Sequence, residues 1–174
     1  RCIIDFGRIN RREMTEEEWS RVVKWKKEVA STQLELVPAS GWGVQDILST
    51  ALSRRHKIVF IDYLQQLRGR GRDRFEQVTN ISLDLHAMAQ THGILVVALS
   101  QLSRASQSRA DAAPTLTDLR ESGQIEQDAD AVLALYIDPD EDAPQNDRKL
   151  RVLKNKEGTL GEFSLAFDGS TQTF

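Results

Sequence analysis

The sequence predicts an α/β protein in which a parallel sheet is flanked by helices. Two apolar runs, at residues 58–61 and 94–99, are continuous, as in strands that are buried on both faces of a parallel sheet. Between them, apolar residues recur at helical spacing from Phe75 to Ala89, and Gly93 follows as a stop signal. Alternation of strand, helix and strand is typical of this class.

The remaining elements follow from local signals. Thr15 to Glu18 form a capping-box pattern that predicts a helix over about 15–30. A short strand over 34–37, a turn at 38–43 and a helix over about 44–55 come next. Three further strands are predicted at 131–136, 150–153 and 162–167, with a Pro- and Asp-rich loop between the first two.

Composition excludes several classes of protein. The 174 residues are 40% hydrophobic and 28% charged, which is ordinary for a globular domain and unlike disordered or fibrous chains. No apolar run reaches the ~18–20 residues of a membrane span, and no signal peptide is evident. The one cysteine, Cys2, excludes an internal disulfide framework and a cysteine-built zinc site. We expect a soluble cytoplasmic protein without a membrane partner.

The formal net charge of −3 does not by itself indicate a nucleic-acid partner. The acidity is concentrated in the last third, since residues 110–174 carry 14 of the 26 acidic side chains. Because charges screen over about 8–10 Å, a cationic surface elsewhere can still bind phosphates.

Polar residues follow both of the apolar runs. Asp62 ends the first run, and Ser100-Gln101 follow the second. Ligands bind at the carboxyl ends of parallel strands, where a carboxylate can hold Mg²⁺ beside nucleotide phosphates. The alternative is that Asp62 only caps the following turn.

The segment from Asp118 to Asp130 is dense in polar groups and precedes an apolar strand. This pattern predicts a loop and short helix at the mouth of the sheet, where backbone N–H groups around Gly123 could meet phosphate oxygens. A solvated acidic helix is the alternative.

Three blocks in this order, KIVFIDYLQQL, VVALSQLSR and DLRESGQIEQDAD, resemble the replicative DNA helicases of the DnaB type. The resemblance runs from about residue 57 to 174, and more faintly back to Arg1. It implies a RecA-like fold, a homohexameric ring around single-stranded DNA, and ATP with Mg²⁺ between neighbouring subunits. Primase and a helicase loader are further candidate partners.

The resemblance also implies roles for individual residues. Asp62 matches the Walker B aspartate that positions Mg²⁺, and Gln101 matches the glutamine that senses the γ-phosphate. Arg120, Glu121 and Gly123 match the loop that lines the DNA channel. Lys154 and Lys156 fall where the family has a basic pair that reaches the neighbour's ATP, although the second member there is usually arginine.

Two features of this family have no counterpart here. The chain contains no G-x-x-x-x-G-K-[ST] loop, and the family's catalytic glutamate is not matched. We therefore expect residues 1–174 to form one partial RecA-like motor domain, incomplete on the N-terminal side, without its phosphate-loop strand and helix. We expect it to be inactive alone, whereas the intact protein is an ATP-driven helicase.

Two other functions stay open: a RecA-like relative with a different task, such as a recombinase, and a non-catalytic remnant that binds DNA or a partner. The run from Arg68 through Arg70 and Arg72 to Arg74, spaced by glycines, predicts a flexible cationic loop. It is either a second DNA contact or an exposed solvated turn.

Overall fold

The computed structural model describes residues 3–102, 113–119, 123–138 and 146–174. Its helices are α1 Phe6–Arg11, α2 Glu16–Ala30, α3 Val44–Ser53, α4 Arg74–His92 and α5 Gly123–Asp128. Its strands are β1 Ile58–Ile61, β2 Leu95–Ala98, β3 Ala131–Ile137, β4 Asp147–Asn155 and β5 Gly161–Ala166. Short 3₁₀ turns span Leu64–Gln66 and Leu116–Asp118. The predicted α/β class is confirmed.

The two longest helices begin where the sequence predicts. Thr15 caps α2: its hydroxyl accepts a hydrogen bond from the Glu18 N–H, and the Glu18 carboxylate accepts one from the Thr15 N–H. That second bond lowers the pKa of Glu18 below its ordinary value. Asp73 caps α4 through its side chain, and Gly93 ends it in the left-handed region at φ 61°.

The core lies between α4, α3 and one face of the β1–β2 pair. β1 and β2 are parallel, and Ile61 lies opposite Ala98 in the register. The buried apolar side chains of this cluster are Val44, Ile47, Ala51, Ile61, Leu64, Leu67, Val78, Ile81, Leu85, Met88 and Ile94. Their packing fixes the carboxyl ends of both strands relative to the start of α4.

Two expectations about strands were wrong. Residues 34–37 do not form a strand, because no described strand pairs with them, and Leu36 is 86% exposed. The β1–β2 pair is also not buried on both faces: Ile58 is 53% exposed and Phe60 is 68% exposed. Within the described residues, helices cover only the face that carries Val59 and Ile61.

The last three strands form their own antiparallel sheet in the order β3-β4-β5. β4 is central, and its pairing with β3 places Lys154 opposite Val132 and Asn155 opposite Ala131. The connection from β4 to β5 is too short for the crossover that a parallel pair requires. This sheet brings the end of β4 beside α5.

Candidate functional site

Asp62 and Gln101 leave the parallel pair at the same edge. The ladder continues past the strands, since the Leu99 N–H donates to the Ile61 carbonyl at 2.9 Å and the Leu64 N–H donates to the Leu99 carbonyl at 2.8 Å. Asp62 therefore lies in a turn that is hydrogen-bonded to the segment leading into Gln101. Both side chains are exposed, so both are available to a ligand.

Gln65 connects these two segments through its side chain. Its amide nitrogen donates to the Ser100 hydroxyl at 2.9 Å, and its amide oxygen accepts from the Gln101 N–H at 3.3 Å. The sequence analysis missed this residue. The available signal was a second polar side chain in the turn that follows an apolar strand.

The predicted DNA loop is only partly within the described residues, because Arg120 and Glu121 lie outside them. Leu119, which precedes Arg120, forms an isolated antiparallel bridge with Leu102, which follows Gln101. Gly123 begins α5 and is exposed. The start of the loop is thus paired with the chain that emerges from β2.

Helix α5 is held from both sides. Asp128 accepts hydrogen bonds from the Ser82 hydroxyl of α4 and from the Gln124 amide, each at 2.7 Å. From the other side, the Lys154 ammonium donates to the carbonyls of Glu126 at 2.6 Å and Gln127 at 3.0 Å. The short helix is therefore fixed to both α4 and the antiparallel sheet.

Lys156 also has a partner within its own chain. Its ammonium lies 2.6 Å from an Asp130 carboxylate oxygen, and its backbone N–H donates to the Asp130 carbonyl at 2.9 Å. The hydrogen bond from Lys156 lowers the pKa of Asp130 below its ordinary value, and the charges of Lys156, His86 and Lys154 act in the same direction. Contact of this basic pair with a neighbour's nucleotide stays a prediction.

The arginine loop is packed against α4, which the prediction of a flexible loop did not anticipate. A Cβ on Gly69 would lie 2.5 Å from the Gln77 carbonyl oxygen, and one on Gly71 would lie 2.7 Å from the Gln77 nitrogen. The glycines therefore permit close backbone contact. Arg68, Arg70 and Arg72 remain exposed, with ion pairs from Arg70 to Asp84 and from Arg72 to Glu76.

Arg74 differs from the other arginines of the loop. It is half-buried, and its guanidinium donates to the backbone carbonyl of Gln65. The start of α4 is thereby joined to the turn that carries Asp62. Three predicted functional segments, the Asp62 turn, the Gln101 segment and the arginine loop, therefore meet at Gln65.

The residues at this edge fit a magnesium–nucleotide complex better than a metal site built from protein alone. No group of three or more His, Cys, Asp or Glu side chains within the described ranges could hold a metal ion. Asp62 offers one exposed carboxylate, and Mg²⁺ commonly takes one or two carboxylates together with phosphates and waters. Separately, none of the described helices is long and apolar enough to cross a membrane.

Comparison with known proteins points in the same direction. The chain is 36% identical over 166 residues to the replicative DNA helicase DnaC of Bacillus subtilis (strain 168), and the match covers 88% of this chain and 36% of that helicase. The chain thus spans about a third of that relative's length.

Two solved structures have the same fold. One is a DnaB-like replicative helicase, studied with its interactions with primase, at a TM-score of 0.90 and 35% identity. The other is a separately solved ATPase domain, at a TM-score of 0.89 and 36% identity. Each likeness covers 98% of this chain, with 45% and 65% of the other chains, respectively. The predicted RecA-like architecture is confirmed by these likenesses.

The family model for the DnaB-like helicase C-terminal domain matches residues 1–174. The signature blocks, the edge shared by Asp62 and Gln101, and the two solved structures agree with that match. This chain belongs to the DnaB-like helicase C-terminal domain family.

Proposed function

We propose that this chain is part of the motor domain of a replicative helicase that unwinds duplex DNA with ATP while a homohexameric ring moves on single-stranded DNA. The observation that carries the proposal is the shared edge of Asp62 and Gln101, hydrogen-bonded through Gln65 and continued by the Leu102–Leu119 bridge toward Arg120. A change at a nucleotide beside Asp62 has a short path to the predicted DNA loop.

Each predicted residue has a task in this proposal. Asp62 holds Mg²⁺ beside the phosphates of ATP, which supplies charge neutralisation for phosphoryl transfer. Gln101 faces the γ-phosphate and responds to its loss. Lys154 and Lys156 release their contacts in α5 and at Asp130 to reach the neighbouring subunit's ATP.

The DNA contacts read charge and not base identity. Arg120, Glu121 and Gly123 line the channel, while Arg68, Arg70 and Arg72 add exposed guanidinium groups close to the Asp62 turn. Such contacts follow the phosphate backbone, so binding is tolerant of sequence and sensitive to salt. The ring works in the cytoplasm, with primase and a loader as candidate partners.

The 174 residues alone are inactive as an ATPase in this proposal, because no G-x-x-x-x-G-K-[ST] loop is present to hold the β- and γ-phosphates. This same absence favours a second candidate function, a non-catalytic module that binds DNA or a partner. The two candidates differ in what the product of the complete open reading frame does with ATP.

The test compares that product with the isolated chain. We expect the product of the complete reading frame to hydrolyse ATP faster with single-stranded DNA, to separate a forked duplex, and to lose both activities in Asp62→Asn. We expect no turnover from the 174 residues. Turnover by the isolated chain that Asp62→Ala abolishes would contradict its inactivity. DNA binding without turnover by the complete product would favour the binding module.

A further inference from the structure

Gln65 uses both ends of its side-chain amide to hold the segment that carries Gln101. The amide nitrogen donates to Ser100 Oγ at 2.9 Å, and Oε1 accepts from the Gln101 backbone at 3.3 Å. Gln65 and Ser100 are both half-buried, so water competes less for these bonds than at an open surface. Gln65 therefore fixes the position of two consecutive residues.

The backbone of Gln65 is fixed independently of its side chain. Arg74 donates to the Gln65 carbonyl from the first residue of α4, and Leu64, the preceding residue, is buried in the core and hydrogen-bonded to Leu99. The side chain consequently projects from an anchored turn. A displacement of this turn is transmitted to Gln101 instead of being absorbed at Gln65.

The neighbouring glutamine provides a contrast. Gln66 is exposed, and its amide donates to the hydroxyl of Tyr63 at 2.8 Å, within the same turn. Among the residues that the structure describes, its side chain makes no hydrogen bond beyond that turn. Of the two adjacent glutamines, only Gln65 bridges to the Gln101 segment.

We propose that Gln65 is the positioning residue that couples the Asp62 turn to the Gln101 segment, and through the Leu102–Leu119 bridge to the predicted DNA loop. This inference rests on the proposed function for its consequence, but the local contact it describes does not. Gln65 touches neither nucleotide nor DNA in this scheme and acts through Gln101.

Two substitutions separate the bond from the bulk of the side chain. Gln65→Leu keeps a similar volume and removes both hydrogen bonds. Gln65→Glu retains them, because a carboxylate accepts from the Gln101 N–H and from the Ser100 hydroxyl, which can reverse its role and act as donor. Gln66→Leu is the matched control, since it makes the same change one residue away.

The first experiment needs no activity. In the 174-residue chain, amide hydrogen exchange at Gln101 is measured by NMR for each variant. We expect exchange about tenfold faster in Gln65→Leu, the factor equivalent to about 1.4 kcal/mol, and little change in Gln65→Glu or Gln66→Leu. Equal exchange at Gln101 in Gln65→Leu and in the unsubstituted chain would overturn the proposal.

The second experiment measures coupling in the product of the complete open reading frame. We expect ATP turnover without DNA and the melting temperature to be nearly unchanged in Gln65→Leu, while the stimulation by oligo(dT) falls about tenfold. Gln65→Glu should restore that stimulation. A merely structural role would instead lower turnover with and without DNA together, which would refute coupling.

The outcomes also separate this inference from the proposed function. If the unsubstituted product shows no DNA-stimulated turnover, the helicase proposal fails, and the exchange experiment still decides the local role of Gln65. If stimulation is normal in the unsubstituted protein and equally normal in Gln65→Leu, the helicase proposal stands and the coupling role of Gln65 is wrong.

Discussion

The ammonium of Lys154 in β4 donates to two consecutive backbone carbonyls at the end of α5, 2.6 Å from that of Glu126 and 3.0 Å from that of Gln127. The last carbonyls of a helix lack intrahelical donors and carry partial negative charge. Lys154 supplies donors and positive charge together. It thereby ties the antiparallel sheet to the helix that follows the predicted DNA loop.

Lys154→Met should destabilise the chain, because it keeps the apolar stem and removes the ammonium. We expect the free energy of unfolding to fall by about 1–2 kcal/mol, the range for charge-assisted bonds at a helix end. Urea denaturation measures this change. Lys24→Met, at an exposed position in α2, is the control and should change stability little. Equal effects of the two substitutions would show that the α5 contact contributes nothing.

The pKa of Asp130 offers a second test of the same region. The hydrogen bond from Lys156 is the largest cause that holds this pKa below the ordinary 3.8. Since the folded-state pKa is the lower one, the contact stabilises the fold above about pH 4, and this contribution is lost as the pH falls through the folded-state value.

Lys156→Met should therefore raise the pKa of Asp130 toward its ordinary value and flatten the loss of stability between about pH 5 and pH 3. NMR titration of the Asp130 carboxyl carbon measures the first effect, and urea denaturation across this range measures the second. Asp168 is an internal control: hydrogen bonds, first from the Ser170 side chain, lower its pKa, and Lys156 is not among their donors. An unchanged Asp130 titration would contradict the assignment.

The sequence predicted the helices and the parallel pair well, because their signals are local. Thr15 with Glu18 encodes a capping box, and Gly93 provides a left-handed stop, so the bounds of α2 and α4 depend on neighbours in the chain. The placement of Asp62 and Gln101 at one edge also followed from strand order. Their predicted catalytic roles stay predictions.

What the sequence could not predict depends on contacts between distant segments. The interpretation of 34–37 as a strand failed because strand formation requires a partner, and propensity does not reveal one. The bonds of Gln65 to Ser100 and Gln101 span 35 and 36 positions. Likewise, glycines spaced between arginines suggest flexibility until the backbone of α4 is seen beside them.

Gly69→Ala and Gly71→Ala should each destabilise the chain by about 1–3 kcal/mol, because the added methyl group forces the loop away from α4. At Gly71, the φ of 147° adds backbone strain for a residue with a Cβ. Denaturation midpoints measure both effects. Gly161→Ala is the control, since nothing lies within 4 Å of the added Cβ, and it should be neutral or mildly stabilising. Tolerance of Ala at Gly69 and Gly71 would contradict the close packing.

Replacing Arg68, Arg70 and Arg72 together with alanine should weaken single-stranded DNA binding without unfolding the loop. Their guanidinium groups are exposed, and the ion pairs of Arg70 with Asp84 and of Arg72 with Glu76 are worth little at the surface, so phosphates can compete for them. Arg74 is retained because it holds the Gln65 carbonyl.

The salt dependence distinguishes phosphate contacts from a general loss of positive charge. Each lost contact with single-stranded DNA lowers the slope of log affinity against log salt by about 0.7, so the triple variant should lose about 2 in slope if all three arginines bind phosphates. Fluorescence anisotropy with oligo(dT) over a salt series measures it. The matched control replaces Lys24, Lys26 and Lys27, three exposed cations of α2. An equal loss of slope in both variants would reduce the arginine loop to a solvated turn, whereas a loss confined to the loop assigns the phosphates to it.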